Sequence, residues 1–319
     1  MKTILYTIAL LVITTITFSQ VSKPVSKMIF LDSSDEETSE GNHKYYRIIR
    51  GYFSESEAYE FNDYYKSGNI KTKVLSKNRD YMDMDGAFIT YYENGKKKSI
   101  SNYKDKKKIG KEFNYFDDGA LRLEIEYLEN EGDLAVNYKV IEFWNKKRQQ
   151  KVVDGNGEYQ GFDLEGTFLI GIIKNGLREG KWTGSSLKQG IKIIEFYTKG
   201  KLISGTSTDS NNIERNYTTL LEKPKPDKGL NHFYSFVSKN FTVPREFQIN
   251  RISEKIIVKF IIERDGTITD SKIIRGINDE LDKEAIRVIT DYEGWTVGKM
   301  RGLPLRVSYT IPITIAGSN

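Results

Sequence analysis

The sequence predicts a mainly β chain that ends in a small α+β domain: an antiparallel array of β-hairpins, then a unit ordered helix, strand, strand, helix, strand. Segments made of an aromatic pair, a polar turn and a return strand recur between Tyr45 and Ser210. After Pro224 and Pro226 the pattern changes, and two stretches of helical period enclose a hairpin centred on Asp265-Gly266. Composition agrees, since 20 Tyr and 16 Phe in 319 residues weight the chain toward strands.

Residues 1–19 have the layout of a secretory signal peptide: Lys2, an apolar run from Ile4 to Phe18, then Ser19 and Gln20. A membrane span needs about 20 apolar residues, and this run is shorter and diluted by Thr7, Thr14, Thr15 and Thr17. Export with cleavage after Ser19 or Gln20 is expected, with an uncleaved anchor as the alternative. No cysteine occurs anywhere, so an exported chain has neither disulfides nor a lipidated cysteine, and its stability rests on burial. With 49 Lys and Arg against 44 Asp and Glu the formal charge is +5, and the two signs are interspersed. That pattern describes a solvated surface and argues against nucleic acid as a partner.

Residues 20–44 read as a flexible tether, because "FLDSSDEETSEGN" is acidic, poor in large apolar residues and without period. Residues 45–210 read as repeats. The stretches "YYKSGNIKT" (64–72), "YYENGKKKS" (91–99), "YFDDGALRL" (115–123) and "FYTKGKLIS" (196–204) share one plan, and the first three are spaced at repeat-like intervals. Asn94-Gly95, Asp118-Gly119 and Lys199-Gly200 supply the positive-φ residue of a tight turn between aromatic and β-branched segments. "EFWNKKRQQ" (142–150) keeps the aromatics without the glycine and reads as a degenerate copy.

Between these units, "GIIKNGLREGKWTG" (171–184) orders Asn175-Gly176, Gly180 and Trp182 in a way that resembles the bacterial variant of MORN repeats. The resemblance implies an elongated antiparallel array in which each hairpin buries its face against its neighbours, with an interaction or spacing role and no particular chemistry. Two sharper motifs fail. "RDYMDMDG" puts Tyr81 and Tyr92 where a calcium loop needs its first and twelfth ligands. "DGNGEYQG" (154–161) misses the spacing of a dinucleotide fingerprint and has no helix after it.

Residues 211–227 read as a linker, stiffened by Pro224 and Pro226 among charges. Residues 228–319 form the last domain. Leu230, Phe233, Phe236, Val237 and Phe241 recur at helical spacing before Val243-Pro244. Ile256, Val258, Phe260 and Ile262 then share one face of a strand, and Ile268, Ile273 and Ile274 follow on its return. A helix capped at Asn278 or Asp279 aligns Leu281, Ala285, Val288, Ile289 and Tyr292, and Trp295 plugs the core behind it. In the last strand Leu305, Val307, Tyr309, Ile311 and Ile313 face one way, and Arg306, Ser308, Thr310 and Pro312 the other.

This order of elements, with "DGTITD", "LDKEAIRVI", Trp295 and "GKMRGLPLRVSYTIPI", resembles the C-terminal domain of TonB energy transducers over residues 228–315. Leu281, Glu284, Ala285, Arg287, Trp295, Gly298, Lys299, Gly302, Pro304, Pro312 and Ile313 occupy the family's motif positions. The resemblance implies a periplasmic protein of the cell envelope concerned with transmembrane transport. Its partner would be a TonB-dependent outer-membrane transporter or another envelope protein, bound by β-strand addition. Pro312 independently marks the last strand as one with a free side, since proline cannot donate to a ladder.

The expected binding residues are Leu305, Arg306, Val307, Ser308, Tyr309, Thr310 and Ile311, with main-chain bonds carrying affinity and Arg306, Ser308 and Thr310 tuning selectivity. An open edge equally admits a second copy, which would give a homodimer through this strand. The chain departs from a working transducer in having no histidine in the apolar run and only 6 prolines. A non-catalytic adaptor is therefore expected, with an inner-membrane-anchored transducer as the alternative. Neither His43 nor His232 sits in a nucleophile or metal constellation, so no catalytic residue, cofactor or metal is assigned.

Overall fold

The computed structural model describes residues 26–129, 136–243 and 253–316. The signal-peptide and cleavage readings fall outside these residues. Sixteen antiparallel strands form one sheet whose strand order equals sequence order, which is the topology of successive hairpins. In the first half they are β1 (Ser26–Leu31), β2 (Tyr45–Arg50), β3 (Tyr59–Tyr65), β4 (Ile70–Ser76), β5 (Met84–Tyr91), β6 (Lys97–Lys104), β7 (Lys107–Tyr115) and β8 (Leu121–Tyr127). The second half holds β9 (Tyr138–Trp144), β10 (Gln150–Val153), β11 (Asn156–Phe162), β12 (Phe168–Lys174), β13 (Leu177–Ser186), β14 (Ile191–Thr198), β15 (Lys201–Asp209) and β16 (Glu214–Tyr217). The described residues form two compact units, one of residues 26–108 with 115–120, the other of residues 109–114 with the described residues from 121 to 316.

In the first unit Ile49, Tyr59, Phe61 and Val74 are buried together, with Ile29 and Phe88 packed against them. Ile29 lies in the segment that composition marks as a tether. Residues 26–31 are instead a strand, paired from Ser26↔Arg50 to Leu31↔Tyr45. The apolar run Met28–Leu31 can bury one face, and the acidic residues that dominate the composition lie in the turn after it. There Asp32 Oδ1 accepts from Ser34 N at 2.7 Å and Glu36 N at 3.1 Å.

The turns explain why the aromatic pair recurs. Tyr92 N donates to Lys96 O at 2.8 Å and Gly95 N to Tyr92 O at 2.9 Å, and Tyr65–Asn69 and Phe116–Ala120 repeat both bonds. The fourth residue of each turn, Gly68, Gly95 or Gly119, has positive φ, the geometry of a type I turn closed by a left-handed bulge residue. From one such turn to the next, Tyr65 Oη donates to Tyr91 O and Tyr92 Oη to Tyr115 O, each at 2.8 Å. Asn69 and Asn94 side chains do the same, to Glu93 O and Asp117 O. Each repeat thus satisfies carbonyls of its successor, as an array of hairpins requires.

In the second unit the turn Asn145–Gln149 makes the same two backbone bonds, with Arg148 at φ +62 in the place of the glycine. The copy without glycine is therefore a full hairpin. Asp163–Thr167 is another of the same kind, in "FDLEGT", which the spacing of the other units does not reveal. Lys199-Gly200 differs from the first three turns: it is a two-residue turn with φ of +49 and +79, and it joins β14 to β15. The array is consistent with the hairpin architecture that the MORN resemblance implies.

Aromatic side chains here lie across glycines of neighbouring strands. A Cβ on Gly171 would stand 2.2 Å from the Trp182 ring, and one on Gly205 would stand 2.2 Å from Tyr217. Trp182 is 1 % exposed and its indole Nε1 donates to Glu179 O at 3.2 Å.

The last domain contains β17 (Leu221–Glu222), α1 (Leu230–Asn240), β18 (Ser253–Ile262), β19 (Ile268–Arg275), α2 (Asp279–Thr290), β20 (Gly298–Met300), β21 (Leu303–Leu305) and β22 (Val307–Ala316). Its strands make two sheets, β19-β18-β22 and β17-β20-β21. Ile256, Val258, Phe260 and Ile262 of β18 are all fully buried, against Leu281, Ala285, Val288 and Ile289 of α2 and Phe233 of α1. Asn278 caps α2, its Oδ1 accepting from Leu281 N at 2.9 Å. Trp295 closes the cluster, with its ring 4.9 Å from Tyr309 and 5.6 Å from both Phe233 and Phe260.

Residues 211–227 do not run free between two bodies. β16 pairs with β15, β17 with β20, and Lys225 N donates to Thr296 Oγ1 at 3.0 Å. An extended segment carries main-chain groups that must be paired wherever they are buried, and the two prolines remove only their own amides.

Candidate functional site

The elements that position the candidate edge are β18 and the loop before β22. β22 pairs with β18 without a register shift, from Ile262↔Val307 through Phe260↔Tyr309 and Ile257↔Pro312 to Lys255↔Thr314. It is the terminal strand of its sheet among the described residues. Proline has no amide hydrogen, so an unbroken ladder through Pro312 means that its main chain faces away from β18. Main-chain direction alternates along a strand. Ser308, Thr310 and Thr314 therefore turn their amides and carbonyls to the open side with it, while Val307, Tyr309 and Ile311 spend theirs on β18.

Side chains alternate as the sequence predicts. Ile311 is buried, Tyr309 is half-buried against Trp295, and Ser308, Thr310 and Pro312 are exposed. Leu305 and Arg306 are placed differently from the rest of the expected set. Leu305 ends β21, opposite Gly298. The Arg306 guanidinium is engaged by Glu263, whose Oε1 accepts from Nε at 2.7 Å, and by Asp270. Thr269 first, then Arg306, hold the Glu263 carboxyl below its ordinary pKa.

The loop between β20 and β21 is docked on the last hairpins of the array. Arg301 sits at its tip at φ +50 and is 1 % exposed. Its Nε donates to Glu195 Oε1 at 2.9 Å, Nη2 to Asp163 Oδ2 at 2.9 Å and Nη1 to Thr167 Oγ1 at 3.1 Å. Its backbone is bonded too, N to Leu220 O and O from Ser207 Oγ, each at 2.8 Å. Glu195 is fully buried and also accepts from the hydroxyls of Tyr197 and Tyr217, each at 2.8 Å. Burial alone would push the Arg301 pKa down; Glu195 and Asp163 outweigh it and leave the guanidinium held above its ordinary value. Burial, then the charge of Glu195, pushes the Tyr217 hydroxyl up. Every strong group in this cluster has a partner, which is the condition for a buried ionic network to hold.

Sequence reasoning missed Glu195 and Arg301. Glu195 had a signal: in "IKIIEFYT" it shares the parity of Ile191, Ile193 and Tyr197, and all four are buried. Arg301 had none, because an arginine beside a glycine in a surface-like turn reads as solvated.

Beside the docked loop lies a cleft of about 630 Å³, lined by the array at Glu165, Lys188 and Arg215 and by the last domain at Arg264, Leu303 and Leu305, among others. Among the described residues no group of three or more potential metal-ligating side chains occurs. No helix among them is long and apolar enough to cross a membrane.

Residues 239–314 match the family described as Gram-negative bacterial TonB protein C-terminal. The matched stretch runs from the end of α1 into β22 and leaves the array outside it. No protein with a curated description matches the chain. The family match supports a TonB-type C-terminal domain and, with it, a role in the cell envelope.

Proposed function

We propose that the protein is a periplasmic, non-catalytic adaptor whose last domain takes up an extended segment of a partner along β22. The partner is a TonB-dependent outer-membrane transporter or another envelope protein. The observation that carries this reading is the terminal position of β22 together with the outward main chain at Ser308 and Thr310. An exposed edge of this length is an aggregation hazard unless it is blunted or used. Pro312 blunts one position and leaves donors on either side of it. The family match agrees with strand addition. The docking through Arg301 favours an adaptor over a domain swinging on a long free linker.

The test is binding of synthetic peptides from the N-terminal periplasmic segments of TonB-dependent transporters, followed by calorimetry. At least one peptide is expected to bind, and Thr310→Pro is expected to abolish that binding with the fold retained, since the Thr310 amide is not needed by β18. Equal affinity of Thr310→Pro and the parent would overturn the reading. A dimer that dissociates on peptide addition would show that a second copy fills the edge at rest.

A further inference from the structure

The open edge does not stop at β22. β21 is also a terminal strand, in the sheet β17-β20-β21, and only Arg306 separates it from β22. Pro304 stands opposite Lys299 in an unbroken hairpin ladder, so its main chain also faces outward. A partner strand paired at Ser308 and Thr310 that continues past Arg306 reaches Pro304 after six residues, roughly 20 Å at about 3.3 Å per residue. At that point it is in the cleft, whose wall includes Leu303, Pro304 and Leu305.

The array supplies the opposite wall, and the charge of the cleft as a whole is not balanced. Lys188, on the turn between β13 and β14, and Arg264, on the turn between β18 and β19, line the cleft. Neither has an ion pair among the described residues, whereas Arg215 is held by Asp209 at 2.9 Å and Arg301 by Glu195 and Asp163. The one carboxylate in the lining is Glu165. Leu187, next to Lys188, is 92 % exposed. Two unpaired cations in a cleft with Leu303, Pro304 and Leu305 on one wall, at the end of a strand-docking edge, suit a peptide that carries carboxylates beyond its paired segment.

We infer that the partner's docking segment is flanked by acidic residues, and that Lys188 and Arg264 read them in the cleft between the array and the β20-β21 loop. This rests on the strand-docking reading above. It makes the array a second reading surface and not a spacer alone. Arg301 fixes the distance between the two.

The experiment uses the transporter peptide that binds the full chain, resynthesised with Asp-Asp or Asn-Asn at either end, against the parent protein and Lys188→Glu/Arg264→Glu. One of the Asp-Asp peptides is expected to bind the parent about tenfold more tightly than its Asn-Asn counterpart, a preference that weakens as salt is raised. The double variant is expected to lose that preference and keep its affinity for the Asn-Asn peptide, which also shows that it is folded. Equal binding of acidic and neutral peptides by the parent, or a preference that survives in the double variant, would overturn the inference and leave strand docking standing. If no peptide binds the parent, strand docking itself falls and the inference with it.

Discussion

Arg301 Nε donates to Glu195 Oε1 at 2.9 Å across 106 residues of chain, with both side chains out of solvent. This ion pair belongs to a cluster in which Asp163, Thr167, Tyr197 and Tyr217 leave no strong group unpaired. It fastens the β20-β21 loop to the end of the array. There Gly302 lies against Arg215 and Tyr217 of β16, the terminal strand of the sheet, so the last domain caps an edge that an array would otherwise expose.

Removing Arg301 takes from the buried Asp163 its ion partner among the described residues, and leaves Glu195 with Arg178 at 3.8 Å and two tyrosine hydroxyls. Arg301→Met is expected to cost about 3–5 kcal/mol in urea unfolding. Lysine should not rescue it, because a single ammonium cannot serve three acceptors placed around a planar fork. Equal stability of Arg301→Met and the parent would show that the loop is not held by this cluster.

Proline scanning separates the two sides of β22. Val307 donates to β18 and Thr310 does not, by the alternation that Pro312 fixes. Val307→Pro is therefore expected to destabilise the domain, while Thr310→Pro leaves its thermal midpoint within about 2 °C, the shift of a substitution worth under 0.5 kcal/mol. Greater damage from Thr310→Pro than from Val307→Pro would mean that the assignment of faces is reversed, and equal damage would mean that the two sides of β22 are not distinct.

Much of this was legible in the sequence. The helix and strand faces of the last domain followed from period alone, because its core is one contiguous cluster of aliphatic and aromatic side chains. Pro312 pointed to the terminal position that β22 has in its sheet among the described residues. Other features were not legible. Met28 to Leu31 form a strand that composition hid, since the acidic turn after them dominates any average over residues 20–44. "FYTKG" looked like the earlier turns yet closes with two residues where they need more, because only the hydrogen-bond pattern distinguishes them. Arg301 could not be found locally, since each of its side-chain partners lies more than 100 residues away.

Close approach of strands in the array depends on glycine at positions that carry no turn. Gly171 is one: a Cβ there would meet three atoms of the Trp182 indole at 2.2–2.4 Å. Gly171→Ala is expected to destabilise the second unit by about 1–3 kcal/mol through overpacking, and Trp182→Ala by about 3–5 kcal/mol through the cavity it leaves. Combined with Trp182→Ala, the alanine at 171 should cost far less than it does alone, because the ring that it strikes is gone. Strict additivity in a double-mutant cycle would count against this packing.

Glu284 and Arg287 give the last domain a pH dependence. Glu284 accepts from Arg287 at 2.6 Å and 2.8 Å and from Thr242 N at 2.8 Å, and Arg287 Nη2 donates to Asn240 O at 2.7 Å. Together they tie the end of α1 to α2. The Arg287 hydrogen bond first, then the amide of Thr242, lower the Glu284 pKa from an ordinary 4.5 to about 2. A carboxylate with a folded pKa below its unfolded value stabilises the fold fully above the unfolded value, and that contribution fades as pH falls toward the folded one. The stability difference between the parent and Glu284→Gln should therefore be constant above about pH 5 and shrink between about 4.5 and 2. Urea unfolding of both proteins across that range reads it directly. A difference that does not change with pH would mean that Glu284 acts through packing and hydrogen-bond geometry that glutamine loses, and not through its charge.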